Sequence, residues 1–243
     1  RWCAKESDPK GFFVWVRENA RVKLPLQAAL YMAGYDNTQT VHNVVIVEED
    51  AELHLITGCV SGHLVARGTH LAITEQYLGR NGKLTNTMVH HWGPKFTVRP
   101  HIGTIVQEGG VVEANFVSLR PARSIRSNPR TWLNGRNASA RSMTVILGSE
   151  GSEISIGGEV YLNAEDTSAE MVQRGICTGS RLYQRGLMVG NARCRAHIDC
   201  AGMLLDPKER GFILSAPSLK ALHSEARLSH EASIGKIAPE QVA

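Results

Sequence analysis

Hydrophobic positions along the chain fall in short segments that are rich in Val, Ile and Thr and separated by Gly, Asn or acidic residues. The clearest successions of segment, turn and segment are 44–47, 48–50 and 52–57, followed by 71–78, 79–82 and 83–89. Such turn signals recur roughly every ten residues, as in proteins made of many short strands. The pattern therefore predicts a β-rich protein.

The spacing of these strands leaves the architecture open, because sandwiches, barrels and β-solenoids all produce it. Asn81-Gly82 alone favours an antiparallel hairpin. No strict short repeat is visible, so any solenoid coils must be irregular. A short helix is predicted at residues 25–33, with Pro25 at its start, and another begins at 239–241. Since the first residue is not Met, we expect a piece of a longer gene product. Since the sequence ends just after the helix start at 239–241, we also expect that a C-terminal helical region is truncated.

Composition and charge indicate an ordinary globular protein of 243 residues, 42% of them hydrophobic, with a formal net charge of +4. No apolar run approaches the roughly 18 residues of a membrane-spanning helix, so we expect no membrane span. The arginines between residues 120 and 141 have only Trp132 among them as a stacking platform, which favours a solvated or protein-facing loop over nucleic acid binding. Five scattered cysteines form no disulfide framework, which predicts a reducing, cytoplasmic location.

Cys194, His197 and Cys200 are the densest group of possible metal ligands. On a helix their spacing of three would place successive members on one side and make a zinc site conceivable. On a strand, Cys194 and Cys200 would face the same way about 20 Å apart while His197 faced the other side. Burial as small hydrophobic residues is the simplest interpretation of these thiols, and the residues alone leave their role open.

The segments ARCRAHIDCAGML (192–204) and LSHEASIGKIAPEQ (228–241) resemble the C-terminal signature of the SufB/SufD family, the scaffold proteins of the SUF iron-sulfur cluster assembly system. Further segments are similar to the family in family order. They are VKLPLQ (22–27), VVIVEEDAELHLITGC (44–59), GGVVEANFVSL (109–119) and QRGICTGSRLYQRGLMVGNARCRAH (173–197). The resemblance thus covers nearly the whole chain.

The resemblance implies an all-β fold, a right-handed parallel β-helix followed by a helical region that docks an ABC-type ATPase. The helix predicted at 25–33 would form a short N-terminal helical segment before it. The implied domains are an N-terminal segment at 1–40, the β-helix core at 41–235 and the start of the C-terminal region at 236–243. Residues 218–234 have helical propensity, but the family places strand there, and we predict strand because tertiary context overrides so weak a preference.

Four site residues follow from the resemblance. Cys200 matches a cysteine proposed as a cluster ligand or sulfur acceptor at a dimer interface, and His230 and Glu231 match the family motif HEAT. Cys59 matches a cysteine proposed as a sulfur acceptor, although Gly58 stands where the family motif has an acid. Because His230 and Glu231 are neighbours on a strand, only one of them can face the cluster, and we favour His230 as the metal ligand beside Cys200.

The implied function is a scaffold, not an enzyme, on which a transient iron-sulfur cluster is built. The family divides the cysteine and the interface histidine between SufB-like and SufD-like chains, whereas this chain carries both, which predicts a homodimer through the β-helix edge. Its other expected partners are an ABC-type ATPase, sulfur donor proteins and apo iron-sulfur proteins. No phosphate-binding loop occurs in this chain. The alternatives are a β-helix carbohydrate-active enzyme, a polysaccharide lyase or hydrolase, and a purely structural adaptor.

Overall fold

The computed structural model describes residues 10–33, 37–62, 65, 67–120, 122–205 and 210–236. These residues form eighteen β-strands and, within those ranges, no helix. The strands are β1 (Phe13–Val16), β2 (Leu26–Met32), β3 (Asn37–Val47), β4 (Glu52–Ser61), β5 (Gly68–Leu78), β6 (Lys83–His91), β7 (Phe96–Val106), β8 (Val111–Arg120), β9 (Ser124–Ser127), β10 (Arg130–Leu133), β11 (Ser139–Ser149), β12 (Glu153–Ile156), β13 (Glu159–Leu162), β14 (Thr167–Thr178), β15 (Arg181–Gly190), β16 (Cys194–Leu204), β17 (Phe212–Ala221) and β18 (Arg227–Lys236).

The strands form two sheets, and the chain passes back and forth between them. Sheet A contains β1, β3, β5, β7, β9, β10, β12, β13, β15 and β17, and sheet B has the order β18-β16-β14-β11-β8-β6-β4-β2. Each strand pairs in parallel with strands of neighbouring coils. The result is a parallel β-solenoid of about seven turns, which confirms the predicted fold class.

Side chains alternate between the interior of the solenoid and its surface along nearly every strand. In β6 the even-numbered residues from Leu84 to His90 are buried, while the residues between them are more accessible. This period of two is what a strand with one covered face requires. The interior contains two adjoining hydrophobic clusters, represented by Leu55, Leu84 and Ile198 in one and Trp92, Phe96 and Ile154 in the other.

A left-handed backbone conformation recurs at the turns, once in each coil. One residue of each successive turn adopts a left-handed backbone conformation, with φ between 54° and 63°, at Asn19, Asp50, Asn81, Gly109, Asn137 and Asp166. These positions are 28 to 31 residues apart. Gly, Asn and Asp tolerate this conformation best, so the turn chemistry repeats although the strand sequences do not.

The predicted helix at residues 25–33 is wrong, because Leu26–Met32 forms strand β2 and pairs in register with β4. The edge of β4 supplies partners for the backbone of β2, which outweighs a short helical preference. The strand prediction for residues 218–234 is confirmed by β17 and β18. The helix predicted at 239–241 lies outside the described residues.

The segments around Asn81-Gly82 are strands, but they are not a hairpin. β5 and β6 belong to different sheets, so the turn between them is a corner of the solenoid. The arginine-rich stretch is also not a loop, because most of it lies in β8 to β11. Strands β1 and β2 pair with β3 and β4, and the domain limits given above stay a prediction.

Candidate functional site

Strand β16 carries Cys194, His197 and Cys200 and places them as a strand geometry predicts. Cys194 and Cys200 point into the solenoid, and the side chain of Cys200 is 0% exposed. His197 lies on the outer face, where its Nδ1 atom is 2.8 Å from Oγ of Ser229. The three residues therefore do not converge on a common point.

His230 and Glu231 lie on β18, the last strand of sheet B, and face opposite sides of it. His230 pairs with Ile198, Glu231 with Asp199, and Ala232 with Cys200. In-register parallel strands share the same facing, so His230 is on the inner face with Cys200 and Glu231 is on the outer face. From the strand spacing and the rise per residue, the Cα atoms of Cys200 and His230 are about 8 Å apart.

The end of the solenoid at β18 is open to solvent. Nearly all residues of β18 are exposed, including His230 and Ile234, and β18 is an edge of sheet B. A strand edge of this kind presents unpaired N–H and C=O groups that a strand of another chain can complete. Cys200 is therefore buried, but only one strand away from an exposed edge.

The electrostatic surroundings of Cys200 keep its thiol protonated. Burial raises its pKa to about 11, the charge of Asp199 adds to the increase, and Arg174 partly offsets it. Arg174 forms an ion pair with Asp199 on the outer face and lowers the pKa of that carboxyl group. Metal binding would have to displace the thiol proton, as it does wherever cysteine is a ligand.

Gln173 is the in-register neighbour of Cys200 on β14 and is 1% exposed. Its Nε2 atom donates to the backbone oxygen of Arg185 at 2.7 Å. Its Oε1 atom is buried and has no hydrogen-bond partner within the described ranges. An acceptor of this kind beside a thiol was not apparent from the sequence.

Cys59 lies on β4 near the other end of sheet B, inside a small chamber lined by Leu30, His70 and His90 among others. Its side chain is 1% exposed, and burial raises its pKa to about 12. His90 is its in-register neighbour on β6. The ring of His70 stacks at 4.9 Å from the ring of Trp92, measured between centroids.

The chamber contains an unusual number of buried polar atoms without partners. Nδ1 of His70 is 2.8 Å from Oε1 of Gln39, but its Nε2 atom, both ring nitrogens of His90 and Nε1 of Trp92 have no hydrogen-bond partner among the residues described here. Burial lowers the pKa of His70 to about 4 and that of His90 to about 3. Both imidazoles are therefore neutral at physiological pH. Sequence reasoning missed them, although His90 is in phase with the inward positions of β6.

The four described cysteines are all free and buried, but their sulfur atoms differ in hydrogen bonding. Sγ of Cys177 contacts the backbone oxygen of Ser180 at 3.2 Å and the Ser180 hydroxyl at 3.1 Å. Cys194 has a hydrogen bond with the backbone of Ala192. Among the residues that the structure describes, no hydrogen bond involves the sulfur of Cys59 or Cys200. The two cysteines predicted to be functional are therefore the two without a local partner.

Cys59 and Cys200 lie on the same sheet but far apart. Five strand spacings separate β4 from β16, which corresponds to about 24 Å along the solenoid. Polar side chains line the interior between them, including Asn86, Gln76 and Thr104, whose hydroxyl donates to Gln76 at 2.8 Å. Within the described ranges, no three His, Cys, Asp or Glu side chains are placed to hold one metal ion.

These features define a class of protein: a parallel β-solenoid with free cysteines turned into its interior and an open strand edge beside one of them. Residues 30–242 match the family model described as the SufBD core domain of SUF system FeS cluster assembly. The chain belongs to the SufBD family, as its motifs predicted.

Relatives from archaea and bacteria agree with this family. The chain is 36% identical over 240 residues to an iron-sulfur cluster assembly SufBD family protein of Archaeoglobus fulgidus, covering 98% of this chain and 64% of that protein. A SufBD family protein of Methanothermobacter thermautotrophicus is 35% identical over 239 residues, which is 98% of this chain and 58% of the relative. The iron-sulfur cluster assembly protein SufB of Bacillus subtilis is 23% identical over 236 residues, 96% of this chain and 50% of SufB.

The chain thus spans between half and two thirds of the length of these relatives. In the residues described, we find no helix with the length and apolar character needed to cross a membrane.

Proposed function

We propose that the chain is a non-enzymatic scaffold subunit on which an iron-sulfur cluster is assembled transiently. The observation that carries the proposal is that Cys200 and His230 share the inner face of neighbouring strands at the exposed end of the solenoid. Thiolate is the ligand that iron-sulfur clusters require, and mixed thiolate and imidazole ligation holds a cluster less tightly than four thiolates. Weak binding suits a scaffold that must transfer its cluster to another protein.

Two copies of the chain would join through the edge of β18, so that each contributes one Cys200 and one His230 near a twofold axis. The exposed edge supports this arrangement, because an unpaired parallel edge is a natural site for strand addition. A cluster requires space that the single chain does not offer at Cys200, whose side chain is 0% exposed. The last coil, β17 and β18, would therefore have to shift as the cluster forms.

Cys59 would accept sulfur before a cluster forms at Cys200. Its thiolate would attack the outer sulfur of a persulfide on a donor protein, the sulfur–sulfur bond of the donor would break, and the donor cysteine would leave as a thiolate. Neutral His90 next to Cys59 can hydrogen-bond to the thiol or to the persulfide.

The remaining parts of the proposal follow from the family. A cytoplasmic ABC-type ATPase would drive the shift of the last coil, sulfur donor proteins would load Cys59, and apo iron-sulfur proteins would receive the cluster. The names of the relatives support cluster assembly as the common role.

Anaerobic reconstitution with iron and sulfide tests the proposal, with cluster content followed by visible charge-transfer absorption. We expect Cys200→Ala and His230→Ala to lose most of the cluster. Glu231→Gln should retain it because Glu231 faces outward, and Cys177→Ala is the matched control for loss of a buried thiol. Equal cluster content in C200A, H230A and C177A would refute the ligand assignment.

Sedimentation velocity tests the dimer separately. Ala232→Pro distorts the edge strand β18 and should convert a dimer to monomer, whereas Ala232→Ser should not. A wild-type chain that is monomeric at micromolar concentration would contradict the proposed interface.

A further inference from the structure

Seven of the described arginines on the surface of this solenoid have an acidic partner in a neighbouring coil. The described ion pairs of this kind are Arg80–Glu49, Arg126–Glu153, Arg130–Glu159, Arg136–Asp166, Arg141–Glu170, Arg174–Asp199 and Arg193–Asp166. Cross-strand pairs of opposite charge stabilise a sheet, and like charges directly opposite one another destabilise it. In these seven pairs the outward guanidinium is neutralised within the chain.

Arg195 and Arg227 are arranged differently, because each has another arginine as its cross-strand neighbour. They are in-register partners on β16 and β18, and both side chains are exposed on the outer face of sheet B. Their Cα atoms are about 4.8 Å apart, as in any neighbouring strand pair. Neither arginine forms an ion pair with an acid among the residues that the structure describes. Two like charges therefore stand side by side without a counter-charge.

The two arginines line a groove of about 550 Å³ on the outer face. Three hydroxyl groups also line it, from Ser139, Ser168 and Ser229, together with the imidazole of His197. The acidic groups in the groove are Glu113 and Glu170, and Glu170 is engaged by Arg141 at 2.9 Å. The end of the groove at Arg195 and Arg227 is therefore rich in donors and positive in charge.

We propose that this groove binds a small anion bearing phosphate or carboxylate groups, held between the guanidinium groups of Arg195 and Arg227. The planar fork of arginine donates two parallel N–H bonds to an oxyanion, and two adjacent forks can hold a single doubly charged group. The serine hydroxyls and His197 supply further donors for the rest of the molecule.

The size and composition of the groove favour a small molecule over a macromolecule. A volume of about 550 Å³ is within the usual range of small-ligand sites. No aromatic side chain lines the groove, whereas single-stranded nucleic acid is held by stacking as well as charge. The inference uses only the outer face of sheet B and is independent of the inward-facing Cys200.

Isothermal titration calorimetry with inorganic phosphate, pyrophosphate and citrate tests the proposal on wild type, Arg195→Gln, Arg227→Gln and Arg130→Gln. We expect saturable binding of at least one probe to wild type and at least tenfold weaker binding to R195Q and R227Q. R130Q is the matched control, because it removes an outward arginine that already has an acidic partner on sheet A. The preference between pyrophosphate and citrate distinguishes phosphate ligands from carboxylate ligands.

A second variant tests whether misfolding, and not loss of the site, explains weaker anion binding. Arg227→Glu places a carboxylate beside Arg195, so it should raise the unfolding temperature of the free protein and abolish the further rise that the anion causes in wild type. The proposal is overturned if none of the three probes shows saturable binding, or if R195Q and R227Q bind the probe as tightly as wild type.

Discussion

Acidification should destabilise this protein well above the pH at which its carboxylates titrate, because two neutral histidines are buried in the chamber around Cys59. His70 is 0% exposed and His90 is 2% exposed. Desolvation lowers their pKa values in the folded state to about 4 and about 3, against an ordinary value of 6.5. The unfolded chain therefore binds these two protons at a higher pH than the folded chain does.

The sign and size of the effect follow from proton linkage. As pH falls below 6.5, the unfolded state gains protons that the folded state does not, so stability is lost until the folded pKa values are reached. Each pKa unit corresponds to about 1.36 kcal/mol. Between pH 6.5 and pH 4.5 each histidine should therefore cost about 2 kcal/mol, and the two together about 4 kcal/mol. This loss is comparable with the total stability of many domains.

Urea unfolding at pH 7.0, 6.0, 5.5, 5.0 and 4.5, followed by tryptophan fluorescence, measures this slope. His90→Phe keeps an aromatic ring against Phe116, whose centroid is 4.8 Å from that of His90, but cannot be protonated. We expect H90F to lose about 2 kcal/mol less than wild type between pH 6.5 and 4.5. His101→Phe is the control, because His101 is exposed in β7 and should leave the slope unchanged. Equal slopes for wild type and H90F would refute the reasoning.

Three further predictions concern the turn repeat, the last coil and the thiols. Asn81→Ala should lower the free energy of unfolding, measured by chemical denaturation, by about 1–2 kcal/mol. Alanine is strained at φ 54°, and the 2.9 Å hydrogen bond from Asn81 to Asp50 is lost. Asn81→Gly should lower the free energy of unfolding by less, because glycine tolerates this φ. Cys200 should be alkylated by iodoacetamide at pH 8 far more slowly than a free thiol, because only about a thousandth of it is thiolate, and peptide mass spectrometry would detect fast labelling. Ala232→Pro should accelerate alkylation of Cys200 at least tenfold but leave Cys177 unaffected, and equal acceleration at both would indicate general unfolding instead of opening at β18.

The strands were predictable from the sequence, whereas their arrangement was not. The period-two pattern is local, so residues 44–47 and 52–57 were assigned correctly from their own side chains. Pairing is decided between residues 27 to 32 positions apart, where no strand sequence repeats. The repeated feature is a single left-handed residue in each turn, filled by Asn, Asp or Gly in different coils. A scan for repeats that treated these three residues as equivalent would have found the coil length.

The candidate site, like the fold, was predictable from the sequence only in part. Strand alternation was sufficient to predict that His230 and Glu231 face opposite sides, and the register of β18 against β16 places His230 on the face of Cys200. The chamber around Cys59 could not be predicted, because His70 and His90 are brought together by two different sheets. Only the fold makes the separate strands β4, β5 and β6 neighbours.

The burial of Cys200 decides what kind of site this end of the solenoid can be. A purely structural cysteine gains from burial and from a local hydrogen bond, as Cys177 does with Ser180. Cys200 is equally buried, but its sulfur has no such partner in the described chain. The side-chain amide oxygen, Oε1, of its neighbour Gln173 also has no hydrogen-bond partner there. Leaving a buried acceptor unsatisfied costs about 1–3 kcal/mol, which packing alone would remove by placing an apolar residue at position 173. Among the described strands, only β18 lies between Cys200 and the open edge of sheet B, so the scaffold function proposed above would need β18 to shift before a bound group could reach the thiol, the side-chain amide oxygen of Gln173 and His230.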